Sequence, residues 1–387
     1  MNGQRLVTIP LLFQSHIIKL TIPITLLFTF YLPQSYIVYL MLFYYLFSFF
    51  IYRYVNYIEK HFQIINKKQR TRLFPEENGQ LSVSLQNEAK LPLVNGKCFF
   101  HVNPSLVMQP NDGLEQISKT LFSFPFSQLA RSQNIWDLTF TATRRGVFQI
   151  EQFECIIGDP FNIIQVHLPV IHKLKTEIIV YPTPKQVAGL QEIQQLLLGS
   201  YRTNFSYFHD ETSIVGVKQY ERESFRSIHW KASAKMQSLQ AKQYEAVKNY
   251  SWTICICLAS DRGIGWKENI EDLISYATYI CQIATERKIP FELFISILAE
   301  DGPLHLMLNE GPMHYAKALE ELARISEDST LLPRENFLHY MMRKRVRSST
   351  MFFLGVSKNN IPHTMQPTYI VHDEGVVEQL EYMASVR

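Results

Sequence analysis

Residues 20–52 read LTIPITLLFTFYLPQSYIVYLMLFYYLFSFFIY, and not one of these 33 positions carries a charge. As one straight helix the stretch would reach about 50 Å, well beyond a hydrocarbon core of roughly 30 Å. Pro33-Gln34-Ser35 lies near its middle, where a break divides it into two spans. The spacing therefore predicts a transmembrane helical hairpin over about residues 16–32 and 36–54, with a very tight turn. Lys19 then sits just inside the first span and snorkels outward.

Two competing readings fare worse. A signal peptide needs a small-residue cleavage site, yet the first 60 residues contain no alanine. A single tilted span would place the rest of the chain on the opposite side. Arg53, Lys60, Lys67, Lys68, Arg70 and Arg72 follow the second apolar stretch with only Glu59 against them, and Arg5 precedes the first. This asymmetry predicts a multi-pass protein of the cell membrane, with both chain ends and the bulk of the chain in the cytoplasm.

The whole chain has 387 residues, enough for two or three packed units, and is 47% apolar. Lys and Arg total 38 against 35 Asp and Glu, which excludes the concentrated basic charge of a nucleic-acid binder. The five cysteines, Cys98, Cys155, Cys255, Cys257 and Cys281, form no C-x-x-C. They read as small buried hydrophobes in a reducing compartment, with Cys255 and Cys257 on one face of a strand.

Residues 56–182 show short alternating runs. LSVSL (81–85), CFFHV (98–102), DLTFTA (137–142) and GVFQIEQFECI (146–156) predict half-buried antiparallel strands. Asn78-Gly79, Asn95-Gly96, Asn111-Asp112-Gly113 and Asp159-Pro160 punctuate them as turns. A β-sandwich-like domain closes such strands most simply.

From 249 to 387 the pattern changes. WTICICLA, FELFISIL and STMFFLGV (349–356) are apolar runs suited to buried parallel strands. Residues 267–287 and HYAKALEELARI (314–325) predict the helices between them. The fold class expected for the whole chain is α+β multidomain: residues 1–55, then the sandwich, a connecting segment at 183–248, and an α/β domain. Phosphate loops, dinucleotide fingerprints, H-E-x-x-H and G-x-S-x-G are all absent from the sequence.

The connecting segment contains IVGVKQYERESFRSIHWKASAKMQSLQAKQYE at 214–245. It resembles the signature of the domain of unknown function number 58 family. Gly216, Tyr220, Arg226, Ile228, His229, Trp230, Lys231, Ser233, Ala234 and Lys235 fit that signature. Lys218 stands where arginine is usual, and Glu223 is the counterpart of a shortened Gly-Asp pair. Arg145-Gly146-Val147-Phe148, Asp159-Pro160-Phe161-Asn162-Ile163 and Val180-Tyr181-Pro182 match further landmarks in the same order.

The resemblance implies a C-terminal domain similar to the von Willebrand factor A fold. Intact members of that fold hold a divalent ion with hydroxyls and carboxylates, as a hard cation requires. Here LASDRGIGW retains Asp261 but places glycines at both hydroxyl positions. No threonine lies in Gly311-Pro312-Met313, and FFLGVSKNN lacks the later aspartate. The metal site is expected to have decayed, so no metal and no cofactor are anticipated.

Aromatic and basic groups alternate through the signature: Lys218, Tyr220, Arg222, Phe225, Arg226, Trp230, Lys231 and Lys235. Such residues suit a protein-docking surface. They suit equally an interdomain clamp, with Trp230 and Ile228 plugged between domains and Arg226 paired to Glu223. The mixed expectation is a structural Trp230 with Arg222, Lys231 and Lys235 available to a partner. The functional expectation is a membrane-anchored interaction or scaffold protein of the cytoplasmic face rather than an enzyme. The resemblance implies a MoxR-type AAA+ ATPase and a transglutaminase-like membrane protein as partners, in an envelope-related process. The alternatives are an enzyme acting on envelope precursors through a His/Asp/Glu site, and a metal-dependent adhesion module.

Overall fold

The computed structural model describes residues 7–31, 36–65, 67–110, 113–190, 209–221, 224–246, 251–260, 265–299, 302–346, 350–362, 364 and 366–380. The chain divides into two units, Met1–Pro182 and Thr183–Arg387.

The first unit begins with β1 (Val7–Thr8), α1 (Ser15–Tyr31) and α2 (Tyr36–His61). Then come β2 (Phe62–Ile65), β3 (Gln69–Leu73), β4 (Asn78–Asn87), β5 (Leu93–His101), β6 (Leu106–Met108), β7 (Glu115–Gln116) and β8 (Leu121–Gln128). The unit ends with β9 (Ser132–Ala142), β10 (Gly146–Phe148), β11 (Glu151–Gly158), β12 (Gln165–His167), β13 (Ile171–Lys173) and β14 (Thr176–Val180).

One sheet runs β1-β12-β11-β5-β8-β7, with β13 also on β11, and a second runs β2-β4-β9-β6. Alternation decides what faces inward. Leu81, Val83 and Leu85 of β4 and Leu138 and Phe140 of β9 meet Phe100, Phe122, Phe124 and Phe153 of the first sheet in one shared core. This is a β-sandwich, with polar residues on the outer faces. A third sheet, β10-β14-β3, includes the parallel pair β14–β3.

Asn78-Gly79 and Asn95-Gly96 lie within β4 and β5 and are not turns, and three further expectations change here. The run 146–156 is not one strand, because the chain leaves β10 and enters β11 in another sheet. Cys98 and Cys155 are not separate thiols: the antiparallel register of β5 and β11 sets them directly opposite, and they are joined as a disulfide with Cα atoms 4.2 Å apart. The boundary at residue 55 falls inside α2. That helix continues to His61 because its last turns are core: Ile51, Val55 and Ile58 are buried. Tyr54 Oη donates to the Pro92 carbonyl at 2.5 Å, and Tyr57 Oη accepts from the Lys90 N–H at 3.1 Å.

Among the described residues one helical stretch, Val38–His61, is long and apolar enough to cross a membrane. The apolar part of α1, His16–Leu27, is shorter.

The second unit opens with a two-stranded hairpin, β15 (His209–Gln219) and β16 (Gln240–Ala246), whose connection contains α3 (Trp230–Met236). Its main sheet uses β17 (Trp252–Ile256), β18 (Phe291–Ala299), β19 (Gly302–Asn309), β20 (Thr350–Leu354), β21 (Thr368–Val371) and β22 (Val377–Gln379). The helices are α4 (Ile270–Glu286), α5 (Pro312–Arg324) and α6 (Arg334–Lys344). The order β19-β18-β17-β20-β21-β22 puts the first strand third, which is the doubly wound arrangement. The four central strands are parallel, while β19 and β22 run antiparallel at the edges.

Helices cover both faces. Ile254 and Ile256 pack toward Leu273, Ala277 and Ile280 of α4, while Cys255 and Cys257 pack toward Phe337 and Met341 of α6. The two cysteines thus share a face, as their spacing of two predicts. Gly355 follows β20 at φ +70°, and a side chain there would run into the Cys257 carbonyl oxygen. Only glycine fits that position.

Candidate functional site

The signature segment folds as a small knob on the β15–β16 hairpin, and its residues separate into two sets by burial. Ile228 is 2% exposed and bridges Ala241 on β16. His229 caps α3: its Nδ1 accepts from the Ala232 N–H at 3.1 Å, and its own N–H donates to the Gln240 carbonyl at 2.8 Å. Ser233 Oγ donates to the His229 carbonyl at 3.0 Å and accepts from the Gln240 N–H at 2.9 Å. The Tyr220 N–H closes the loop onto the Leu239 carbonyl at 3.0 Å. Gly216 lies in β15 opposite Gln243, and Lys218 opposite Ala241.

The second set is displayed. Trp230 is 58% exposed and Phe225 is 70% exposed. Their rings meet edge to face with centroids 5.5 Å apart. Arg226, Lys231 and Lys235 are exposed around them. Met236 and Leu239 add exposed apolar surface to the same short segment. A seven-residue helix has no room to bury all of its side chains, so composition alone gave no sign that Met236 and Leu239 face outward.

Within the second unit Trp230 is thus a displayed side chain. The capping bonds of His229 and Ser233 hold Ile228 inward, and Trp230, two residues on, is exposed on the surface of its own unit. Ile228 does occupy the inward position. Arg222 and Glu223 lie outside the described residues, and so does the Arg226–Glu223 pair. Asp261 lies outside them as well. Among the described residues no group of three or more His, Cys, Asp or Glu side chains could hold a metal ion.

Among the described residues, the ionisable groups include buried thiols and paired carboxylates. Burial pushes the Cys255, Cys257 and Cys281 thiols up, so they stay protonated and weakly nucleophilic. Glu292 is 1% exposed; it accepts from Thr253 Oγ1 at 2.5 Å and from the Val346 N–H at 3.0 Å, with His305 Nε2 3.5 Å away. Glu292 and Thr253 are buried in the sheet, while the His305 side chain keeps 14% exposure. His167–Glu154 and His372–Glu378 are pairs nearer the surface, at 2.8 and 2.9 Å.

No protein-family model and no curated protein matches the chain. Among solved structures, it is similar to a cohesin in a type I cohesin–dockerin complex from Clostridium thermocellum, at 11% identity and a TM-score of 0.24, over 31% of this chain and 98% of that one. A cohesin from Clostridium acetobutylicum matches at 11% identity and a TM-score of 0.23, over 31% of this chain and 88% of that one. The PapD-like domain 7 of human CEP192 matches at 10% identity and a TM-score of 0.20, over 31% and 84%.

Proposed function

We propose that the protein is a membrane-anchored interaction protein whose knob, Phe225 to Leu239, is its docking face. The observation that carries this reading is the exposure of Trp230 and Phe225 among Arg226, Lys231 and Lys235. Aromatic and arginine side chains held out on a braced scaffold are the anchors that dominate interface energies. The partner is an AAA+ ATPase of the MoxR type, as the resemblance to the domain of unknown function number 58 family implies, with a transglutaminase-like membrane protein as a further member of the assembly.

The helical hairpin belongs to the same proposal. Val7 and Thr8 pair with Val166 and Gln165 of β12, while α2 ends inside the sandwich core. The chain thus leaves the sandwich through α1 and returns to it through α2, which supports two passes and a single-sided domain. The basic flank that follows α2 supports the cytoplasmic face. The doubly wound order with an antiparallel edge strand supports a von Willebrand factor A-like second unit that works by surface contact, without a metal. The Cys98–Cys155 disulfide favours a second reading, with the sandwich on an oxidising face, since disulfides persist there.

Co-purification of the full chain from native membranes tests the proposal. The parent retains the ATPase, whereas Trp230→Ala and the charge reversal Lys231→Glu lose it without loss of folding. Undiminished capture by both variants would contradict the docking face.

A further inference from the structure

The Asp159-Pro160-Phe161-Asn162-Ile163 turn has no part in the knob, and its construction calls for a reason. Asp159 is fully buried, and its carboxylate accepts three backbone N–H groups: Phe161 and Ile163 at 2.8 Å each and Ile164 at 2.5 Å. Asn95 Nδ2 donates to the Asp159 carbonyl at 2.8 Å. Asn162 takes a left-handed φ of +58°, and its Oδ1 accepts from Gln165 Nε2 at 3.0 Å. A loop braced this heavily holds one conformation. What it presents is Phe161, 64% exposed.

Phe161 is exposed in a particular place. Its ring lies 5.3 Å from that of Phe47 on α2. Around Phe47 the helix shows Phe43, Leu46, Phe49 and Phe50, each between 56% and 66% exposed. A surface this apolar suits lipid. Arg53, six residues beyond Phe47, is the first charge on the helix, about 9 Å along the axis at 1.5 Å per residue. Aromatic side chains of interfacial anchors sit about 5–10 Å into the headgroup boundary. The depth of Phe161 beside Phe47 agrees with that range.

We infer that the 159–163 turn is a lipid-interface anchor, with Phe161 seated in the bilayer against α2 so that the sandwich rests on the membrane surface. The inference depends on the membrane reading of α2 proposed above. Its partner is the bilayer into which α2 inserts.

The test uses the full chain reconstituted in phospholipid vesicles. The native tryptophans are Trp136, Trp230, Trp252 and Trp266, none in this turn. Phe161→Trp adds a reporter at the anchor, and Val107→Trp adds one on β6, which pairs with the end of β9 remote from the β2 side of the sheet. Phe161→Trp emission is expected to fall in vesicles of lipid brominated near the headgroup, less in lipid brominated near the acyl end. Val107→Trp should match the parent in both. Phe161→Cys labelled with bimane and read the same way covers a folding failure of the tryptophan variant. If alkaline carbonate strips the full chain from the vesicles, the membrane reading and the anchor fail together. If the chain stays embedded while the reporter at 161 responds to neither lipid, the anchor alone is overturned. Shielding from aqueous quencher without lipid quenching would assign Phe161 to a protein contact and overturn it too.

Discussion

Two tryptophans with opposite environments define the residue scale. Trp230 stands out of the knob, while Trp252 is fully buried at the head of β17 and packs on Phe352 with ring centroids 4.8 Å apart. Trp252→Ala should cost about 3–5 kcal/mol through lost burial and a cavity. Trp230→Ala should stay within about 0.5 kcal/mol, as surface changes do. Chemical unfolding of the full chain in detergent measures both, and a Trp230→Ala loss as large as that of Trp252→Ala would contradict the exposed knob. His314 gives a second residue-scale outcome. Burial holds its imidazole below the usual histidine value, with the Phe291 carbonyl, 2.8 Å from Nε2, opposing in part. The folded protein therefore binds that proton more weakly than the unfolded chain. The stability linked to His314 is complete above about pH 6.5 and is lost as pH falls through the lowered value. His314→Gln should flatten the fall in melting temperature between about pH 7 and about pH 5.

Among the elements, the knob depends on Ser233, whose hydroxyl ties α3 to both the His229 carbonyl and the Gln240 N–H. Ser233→Ala removes the hydroxyl partner of the Gln240 N–H, while the His229 carbonyl keeps the Ser233 N–H at 2.9 Å, and should cost about 1–3 kcal/mol locally. Hydrogen exchange should speed up across 224–240 while β17, β18 and β20 keep their protection. Uniform protection throughout would show that the knob is held by other contacts. The elements also show which parts of this fold a sequence reveals. The strands β17, β18 and β20 were legible because both of their faces are buried, which demands unbroken apolar runs. Their edge neighbours β19 and β22 were not, since GPLHLMLN and VEQ each leave side chains in solvent. β8 escaped notice because Pro125 interrupts its run, and β3 because QRTRL keeps only Leu73 buried. The motif's place in the chain was legible in the sequence. Which of its aromatics faces outward was not, because that choice is made by hydrogen bonds between residues seven apart, such as Ser233 and Gln240. The disulfide partner of Cys98 likewise depended on the β5–β11 register, 57 residues apart in the chain.

For the whole molecule, the proposed membrane reading puts the bulk of the chain on one side of a bilayer, and that side decides which partners it meets. β1 and the end of α2 are both fastened to the sandwich, so on the proposed hairpin residue 8 and residue 62 share one face of the membrane. In the proposal that face is cytoplasmic, from the basic flank, whereas in the second reading it is oxidising, from the Cys98–Cys155 bond. A docking face for a cytoplasmic ATPase exists only in the first case. The direct measurement is protease treatment of sealed cells expressing the full chain with a reporter fused after Arg387. The account predicts a reporter active only in the cytoplasm and a soluble part that survives external protease until the cells are opened. Cleavage in the 56–75 segment from outside intact cells would contradict it.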